Sequence, residues 1–344
     1  MTTTTTPTPT KKSPRRWPWG ILWMLVWLVL LEVGVRRSWN PVVVGEERYK
    51  DYYPAYDYGF TDLPLCWRGE TERVCQPTPY YDIHRQTLPL RKKAKDRLVV
   101  TIGASVARGK RGSFSTELEK RLGKAHPKVD LQVLNLAASS IGSTRMLLRV
   151  REALRYKPDL LIVQLHGENE SKDARDLAYS QELHGGLAGS ALRSRAVVVL
   201  KKYFASELEV EIPTYGARDA TTERERTPEA WARDMEVMEQ NLTEMLALAR
   251  AARVPVVLMS ASSRTRGFVG DHDREINAML LRHAGKGVQY FDTGAALDKG
   301  GKPKELFRDG HHFTSRGHRY VAAGLLLVVR KTLKLGEGPR GKRR

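Results

Sequence analysis

Residues 97–109 read Arg97-Leu98-Val99-Val100-Thr101-Ile102-Gly103-Ala104-Ser105-Val106-Ala107-Arg108-Gly109. The apolar run Arg97–Ile102 closes on glycine and reads as a strand buried on both faces. A serine follows at the turn into the next segment. There a hydroxyl can sit beside free backbone N–H groups that favour developing negative charge. The same serine can equally serve as a helix N-cap. The stretch is not G-x-S-x-G, so the nucleophile elbow of α/β-hydrolases is not matched.

Downstream, strand and helix patterns alternate. Ser113–Leu122 reads as a helix, Val129–Leu136 as a strand, Ser143–Tyr156 as a helix and Asp159–Leu165 as a third strand. Pro255–Met259 and Val288–Phe291 give a fourth and fifth strand, with long helical patterns over Pro228–Ala251 and Ser315–Leu333. Such alternation implies right-handed crossovers and a mostly parallel sheet. The expected fold is therefore α/β, a three-layer five-stranded sheet with helices on both faces. In such folds ligands bind at the carboxyl ends of the strands. That selects Gly103–Gly109, Asn135–Thr144 and His166–Ser171 as site loops. Residues 171–227 interrupt the alternation, either as a lid or specificity element over the site or as a helical pair extending the core.

Toward the N-terminus, Trp17–Val35 runs nineteen residues with one charge, Glu32. That length can cross a ~30 Å hydrocarbon core as a helix, with Trp17, Trp19, Trp23 and Trp27 offering interface anchors. Lys11, Lys12, Arg15 and Arg16 precede it and Arg36 and Arg37 follow, which favours a cytoplasmic N-terminus. A cleaved signal peptide and a buried core helix are the rivals; no A-x-A-like site follows the run. An anchor would place later residues outside the cytoplasm. Cys66 and Cys75 would then sit in an oxidising compartment, where they either pair or stay free thiols.

The expected organisation is a disordered basic start over 1–16, an anchor over 17–35 and a Tyr- and Pro-rich linker over 36–96. The main domain covers 97–334 and a basic tail 335–344. The 58 Lys and Arg against 39 Asp and Glu give +19, of which the tails supply +10: +4 from residues 1–16 and +6 from residues 330–344. Two cysteines exclude a disulfide-dense scaffold and a four-Cys zinc site. Nucleic-acid binding is disfavoured, because the basic residues gather in tails and no stacking or groove-reading motif is present.

Three further segments carry chemistry. Asn135–Thr144 is a small-residue loop that allows close backbone approach to a ligand, or simply caps a helix. His166-Gly167-Glu168-Asn169-Glu170 places an amide at a strand end, where it can donate to an oxyanion or form an Asx-turn. His166 can be a ligand, a base or structural, and Glu170 most simply caps the following helix. Asp309-Gly310-His311-His312 can bring a carboxylate to an imidazole in one tight turn, the logic of a Ser-His-Asp triad. The histidines His311, His312 and His318 could instead bind a metal. The i, i+3 spacing assigns the base to His312, so His311 and His318 are expected to tolerate substitution.

Taken jointly, these segments resemble the SGNH family of GDSL-type esterases and lipases over about residues 97–330. The order matches: Gly-x-Ser after the first strand, a small-residue loop after the second, Gly-x-Asn after the third and Asp-x-x-His before the last helix. The anchor with Glu32 and the Arg pair also looks like the leader of membrane-attached bacterial members. Ala104 departs from the family's usual Asp. By this resemblance Ser105 is the nucleophile, His312 the base and Asp309 its orienting carboxylate. The oxyanion hole is formed by the Ser105 N–H, a second-loop N–H from Ser140 or Gly142, and the Asn169 side chain. No metal or organic cofactor is implied. The expected activity is hydrolysis of O-acyl groups on a glycan, lipid or small ester. The alternatives are O-acyl transfer to envelope polysaccharide and a catalytically silent, membrane-tethered interaction protein.

Overall fold

The computed structural model describes residues 17–38, 66–68, 72–75, 86–108, 113–139, 141–171, 173–174, 177, 196, 227–265 and 269–336. Most of the 171–227 interruption, residues 1–16 and residues 337–344 lie outside the described residues.

The main sheet has five parallel strands: β4 (Arg97–Gly103), β5 (Leu131–Asn135), β6 (Leu160–Gln164), β7 (Val256–Met259) and β8 (Val288–Phe291). Their order is β5-β4-β6-β7-β8. Strand β4 pairs Thr101 with Asn135 on one side and Gly103 with Gln164 on the other. The chain leaves β4 to one side for β5 and returns to the other for β6. That reversal makes the carboxyl end of β4 the switch point, where open α/β sheets bind ligands.

Helices cover both faces. On one face lie α4 (Ser143–Leu154), α5 (Pro228–Ala251) and α6 (Asp271–Arg282). On the other lie α3 (Phe114–Ala125), α7 (Thr293–Asp298) and α9 (Ser315–Thr332), with α8 (Pro303–Leu306) just before α9. Alternation along β4 serves both layers: Leu98, Val100 and Ile102 enter one core and Val99 the other. Burial on both faces is why these strands read as continuous apolar runs. The five-stranded expectation holds, and its element ends agree within two or three residues. Helix α6 is an addition. It starts without a Ser or Thr cap; Asp273 instead accepts the Gly270 N–H at 2.8 Å.

Within the stretch expected as linker, β1 (Cys66–Arg68), β2 (Glu72–Cys75) and β3 (Gln86–Pro89) form an antiparallel sheet. Cys66 and Cys75 face each other across β1 and β2 and are joined as a disulfide. Cys66, Cys75 and Leu88 pack into the main core. Gln86 covers the free edge of β5: its amide accepts the Asn135 N–H at 2.8 Å and donates to the Asn135 carbonyl at 3.0 Å.

Helix α1 (Trp17–Ser38) forms over the stretch expected as an anchor, and its apolar side chains, Trp19, Trp23 and Trp27 among them, are exposed. Among the described residues no helix is long and apolar enough to cross a membrane; the described side chains of α1 run unbroken only from Trp19 to Val35. Its single acid, Glu32, accepts the backbone N–H of Ala196 at 2.9 Å, tying the helix to the 171–227 segment.

Candidate active site

The first loop turns sharply. A Cβ on Gly103 would stand 2.7 Å from Ala107 Cβ and 3.1 Å from the Gln164 carbonyl, so glycine permits the close approach of β4 to β6 and to its own turn. Helix α2 (Ser105–Arg108) begins at once, with Ala104 O accepting from Ala107 N and Arg108 N. Ser105 is thus delivered, half-buried, to the switch point. Ala104 is packed in the apolar core, where an aspartate would be a buried carboxylate. The Asn135 amide nitrogen donates to the carbonyls of Ala107 (3.1 Å) and Arg108 (3.2 Å). Its oxygen accepts the Ala137 N–H at 3.0 Å. Asn135 therefore fastens the serine turn to the second loop, a role its place in the sequence did not signal.

The fourth loop closes between Phe307 and Phe313, with Arg308 N–H donating to His312 O at 2.8 Å. Asp309 Oδ1 accepts the backbone N–H groups of His311 (3.1 Å) and His312 (2.8 Å), an Asx-turn. The same carboxylate meets His312 Nδ1 at 2.9 Å, and His312 Nε2 lies 2.8 Å from Ser105 Oγ. Ser105, His312 and Asp309 are thus brought together in series. Burial alone would raise the Asp309 pKa, but the His312 and His311 N–H groups and the His312 ring hold it at about 2. The His312 pKa is lowered by burial and then by His311 and Arg308, against the pull of Asp309. Near neutral pH the ring is therefore uncharged and able to accept a proton from Ser105.

The loop is held on two sides. Arg264 N–H, in the loop after β7, donates to Gly310 O at 2.6 Å. In α9, Gly317 lies so close to Leu306 O that a Cβ would stand 2.4 Å away. His318 is buried and does not belong to the reactive group: its Nδ1 accepts the Phe114 N–H at 3.2 Å and its ring stands edge-on to Phe313. Burial first, then the charges of Arg308 and His312, push its pKa down to about 4. These contacts give His318 a structural place in the fold rather than one in the catalytic group. His311 lies between the rings of His166 and His312, tilted against each, with centroids at 5.1 and 4.1 Å. Asp309, His311 and His312 bring one donor atom each within 4.8 Å. Asp309 and His312 already spend theirs on each other and on Ser105.

The second loop continues beside β4, with Ala138 N–H donating to Gly103 O at 3.1 Å. Ser140 lies outside the described residues. Gly142 is the N-cap of α4 and lies against Asn169 O and the Asp173 carboxylate, where a Cβ would stand 2.8 and 2.9 Å away. In the third loop, Gly167 lies against Trp231, where a Cβ would come within 2.6 Å of the ring. The 3₁₀ turn Gly167–Asn169 ends with Asn169 half-buried.

Glu170 also departs from expectation. It caps α4, across the loops, by accepting Ser143 N–H at 2.6 Å and Ser143 Oγ–H at 2.7 Å. Burial, reinforced by Asp173 and Asp234, raises its pKa to about 8. Asp173 accepts Arg145 N–H at 2.9 Å and pairs with the Arg145 guanidinium. Burial raises its pKa against that pairing.

A hydroxyl, an imidazole and a carboxylate in series at the switch point of a parallel sheet define an α/β hydrolytic enzyme. The sequence places it further. Residues 100–320 match the GDSL-like Lipase/Acylhydrolase family, and the chain belongs to it. It is an ester-hydrolysing enzyme. None of the curated proteins matches the chain in sequence. Among solved structures it is similar to TesA, at 15% identity and TM-score 0.43, over 69% of this chain and 99% of that one. A catalytic mutant of Axe2, an acetylxylan esterase from Geobacillus stearothermophilus, is similar at 14% identity and TM-score 0.44, covering 71% and 97%. The lipase Lip_vut3 from goat rumen metagenome is similar at 16% identity and TM-score 0.44, covering 70% and 98%.

Proposed function

We propose that the protein is a serine esterase that removes O-acyl groups through an acyl-enzyme on Ser105. The observation that carries this is the contact of Ser105 Oγ with His312 Nε2 at 2.8 Å, behind which Asp309 holds Nδ1 at 2.9 Å. Ser105 Oγ attacks the ester carbonyl while its proton passes to His312 Nε2. The carbonyl electrons move to oxygen, stabilised by the Ser105 N–H, the Asn169 amide and a second-loop N–H of Ser140 or Gly142. Collapse expels the alcohol with the proton from His312. Water then repeats the sequence in reverse roles and frees the acid and Ser105. None of these steps calls for a metal or organic cofactor.

The substrate is an O-acylated glycan, lipid or small ester. On the strength of the nineteen-residue apolar run Trp17–Val35 and its flanking basic residues, that segment is read as a single-pass anchor with a cytoplasmic N-terminus and the catalytic domain outside. The exposed apolar face of α1 and the Cys66–Cys75 disulfide support that placement. Release of p-nitrophenol from acetyl and longer-chain esters by the detergent-solubilised full-length protein tests the reading. Ser105→Ala and His312→Ala should each cost on the order of 10³-fold or more, with little further loss in the double variant. Acylated sugar formed in preference to free acid would make it a transferase. Turnover that survives Ser105→Ala would overturn the mechanism. No reaction with a serine-directed phosphonate would leave a silent, membrane-tethered interaction protein.

A further inference from the structure

We propose that Glu170 is a positioning residue of this site: it fastens the second loop to the third, so that donors from both loops keep one spacing during turnover. The inference rests on the esterase reading above. Glu170 directly follows Asn169, so its fixation fixes the backbone that carries the Asn169 amide. Its carboxylate oxygens are spent on Ser143, one on the N–H at 2.6 Å and one on Oγ at 2.7 Å. Ser143 is the first residue of α4, where the second loop ends. The two loops are thereby joined through one buried side chain, independently of the sheet.

The surroundings show why a carboxylate is needed. Asn241 of α5 donates to Ser143 Oγ at 2.8 Å, so that oxygen already accepts one hydrogen bond. Its own proton must then go to Glu170, and the Ser143 N–H needs a second acceptor beside it. Only an ionised carboxylate accepts both. The titratable groups around Glu170 are Asp173 on its own segment, paired with Arg145 of α4, and Asp234 of α5, which accepts Ser171 Oγ–H at 2.8 Å. The neighbouring carboxylates oppose ionisation, and burial does so more strongly, which places the change near pH 8. Below that, a proton on Glu170 turns one acceptor into a donor toward an oxygen that is already donating, and the fastening loosens.

The test compares Glu170→Ala, Glu170→Gln and Ser143→Ala in the full-length protein, with p-nitrophenyl acetate as substrate and Ser105→Ala as the background. Glu170→Ala should lower kcat about 10- to 100-fold with KM within about twofold, because misplaced donors weaken the transition state rather than substrate binding. Glu170→Gln keeps one acceptor and should lose about tenfold or less. Wild-type kcat should also rise about fivefold from pH 7 to 9, the scale of trading a neutral for a charged hydrogen bond, and this step should vanish in Glu170→Gln. A purely structural role would lower the melting temperature without removing that step. A Glu170→Ala kcat within about threefold of wild type, a loss confined to KM, or a step that persists in Glu170→Gln would overturn the inference. If Glu170→Ala does not fold, the isosteric Gln and Ser143→Ala carry the same comparison. Absence of any Ser105-dependent turnover in the wild type would instead overturn the esterase reading.

Discussion

His318 offers the sharpest check on the fold around the site. Its ring is buried, accepts the Phe114 N–H at 3.2 Å and has a pKa of about 4 against an ordinary 6.5. The neutral ring is the folded form. As pH falls below 6.5 the unfolded chain takes up a proton that the folded chain refuses until about pH 4. Stability present above 6.5 is therefore lost progressively down to about 4. A shift of that size amounts to about 3 kcal/mol. At pH 7, His318→Ala should cost about 2–4 kcal/mol, because it strands the buried Phe114 N–H and opens a cavity beside Phe313. By pH 4.5 the wild type has already given up about 2–3 kcal/mol at this site, so the cost of the substitution should shrink by that amount. His318→Gln, which can still accept from Phe114 but does not titrate, should flatten the pH dependence. Urea unfolding of the full-length protein in detergent, followed by tryptophan fluorescence at both pH values, measures this. An equal cost of His318→Ala at pH 7 and pH 4.5 would refute the argument.

Three other outcomes follow from the site. Asn169→Ala should lower kcat on the order of 10²–10³-fold with little change in KM, read by steady-state ester hydrolysis. His311→Gln should move the acid limb of the kcat/KM profile to higher pH, because a neighbour that depresses the His312 pKa has gone; an unmoved limb would contradict the ring contact. Gly142→Ala should cost both stability and turnover, since its Cβ would meet Asn169 O at 2.8 Å and the Asp173 carboxyl carbon at 2.9 Å; thermal melts and kcat measured together report it.

The fold was legible wherever local pattern and burial coincide. Strand β6, buried along its whole length, reads as an unbroken apolar run. Helix α5 begins at Pro228, as the sequence implied, with Thr227 as its cap. Helix α6 was not legible, because its cap is a glycine and its first turn is polar. Strands β1 to β3 are three or four residues each, too short for periodicity to register. Their order comes from cross-strand pairing and the Cys66–Cys75 bond, which no local window contains.

The site divides along the same line. Asp309 and His312 could be paired from sequence because a single turn brings them together and no distant element has to cooperate. Gly142 and Glu170 could not be assigned that way. A glycine in a small-residue loop has the same local signature whether its N–H faces a substrate or a carboxylate. The outcome is set by the register of β4 between β5 and β6, which brings loops 27 residues apart into contact. Glycine is required at 142 for the close approach to Asn169 O and the Asp173 carboxylate, whatever its N–H faces. Glu170, three residues before Asp173, is itself helical and completes the cap of α4 at Ser143. Both acids thus serve the N-terminus of the preceding helix α4, Glu170 at Ser143 and Asp173 at Arg145, and through it the second loop.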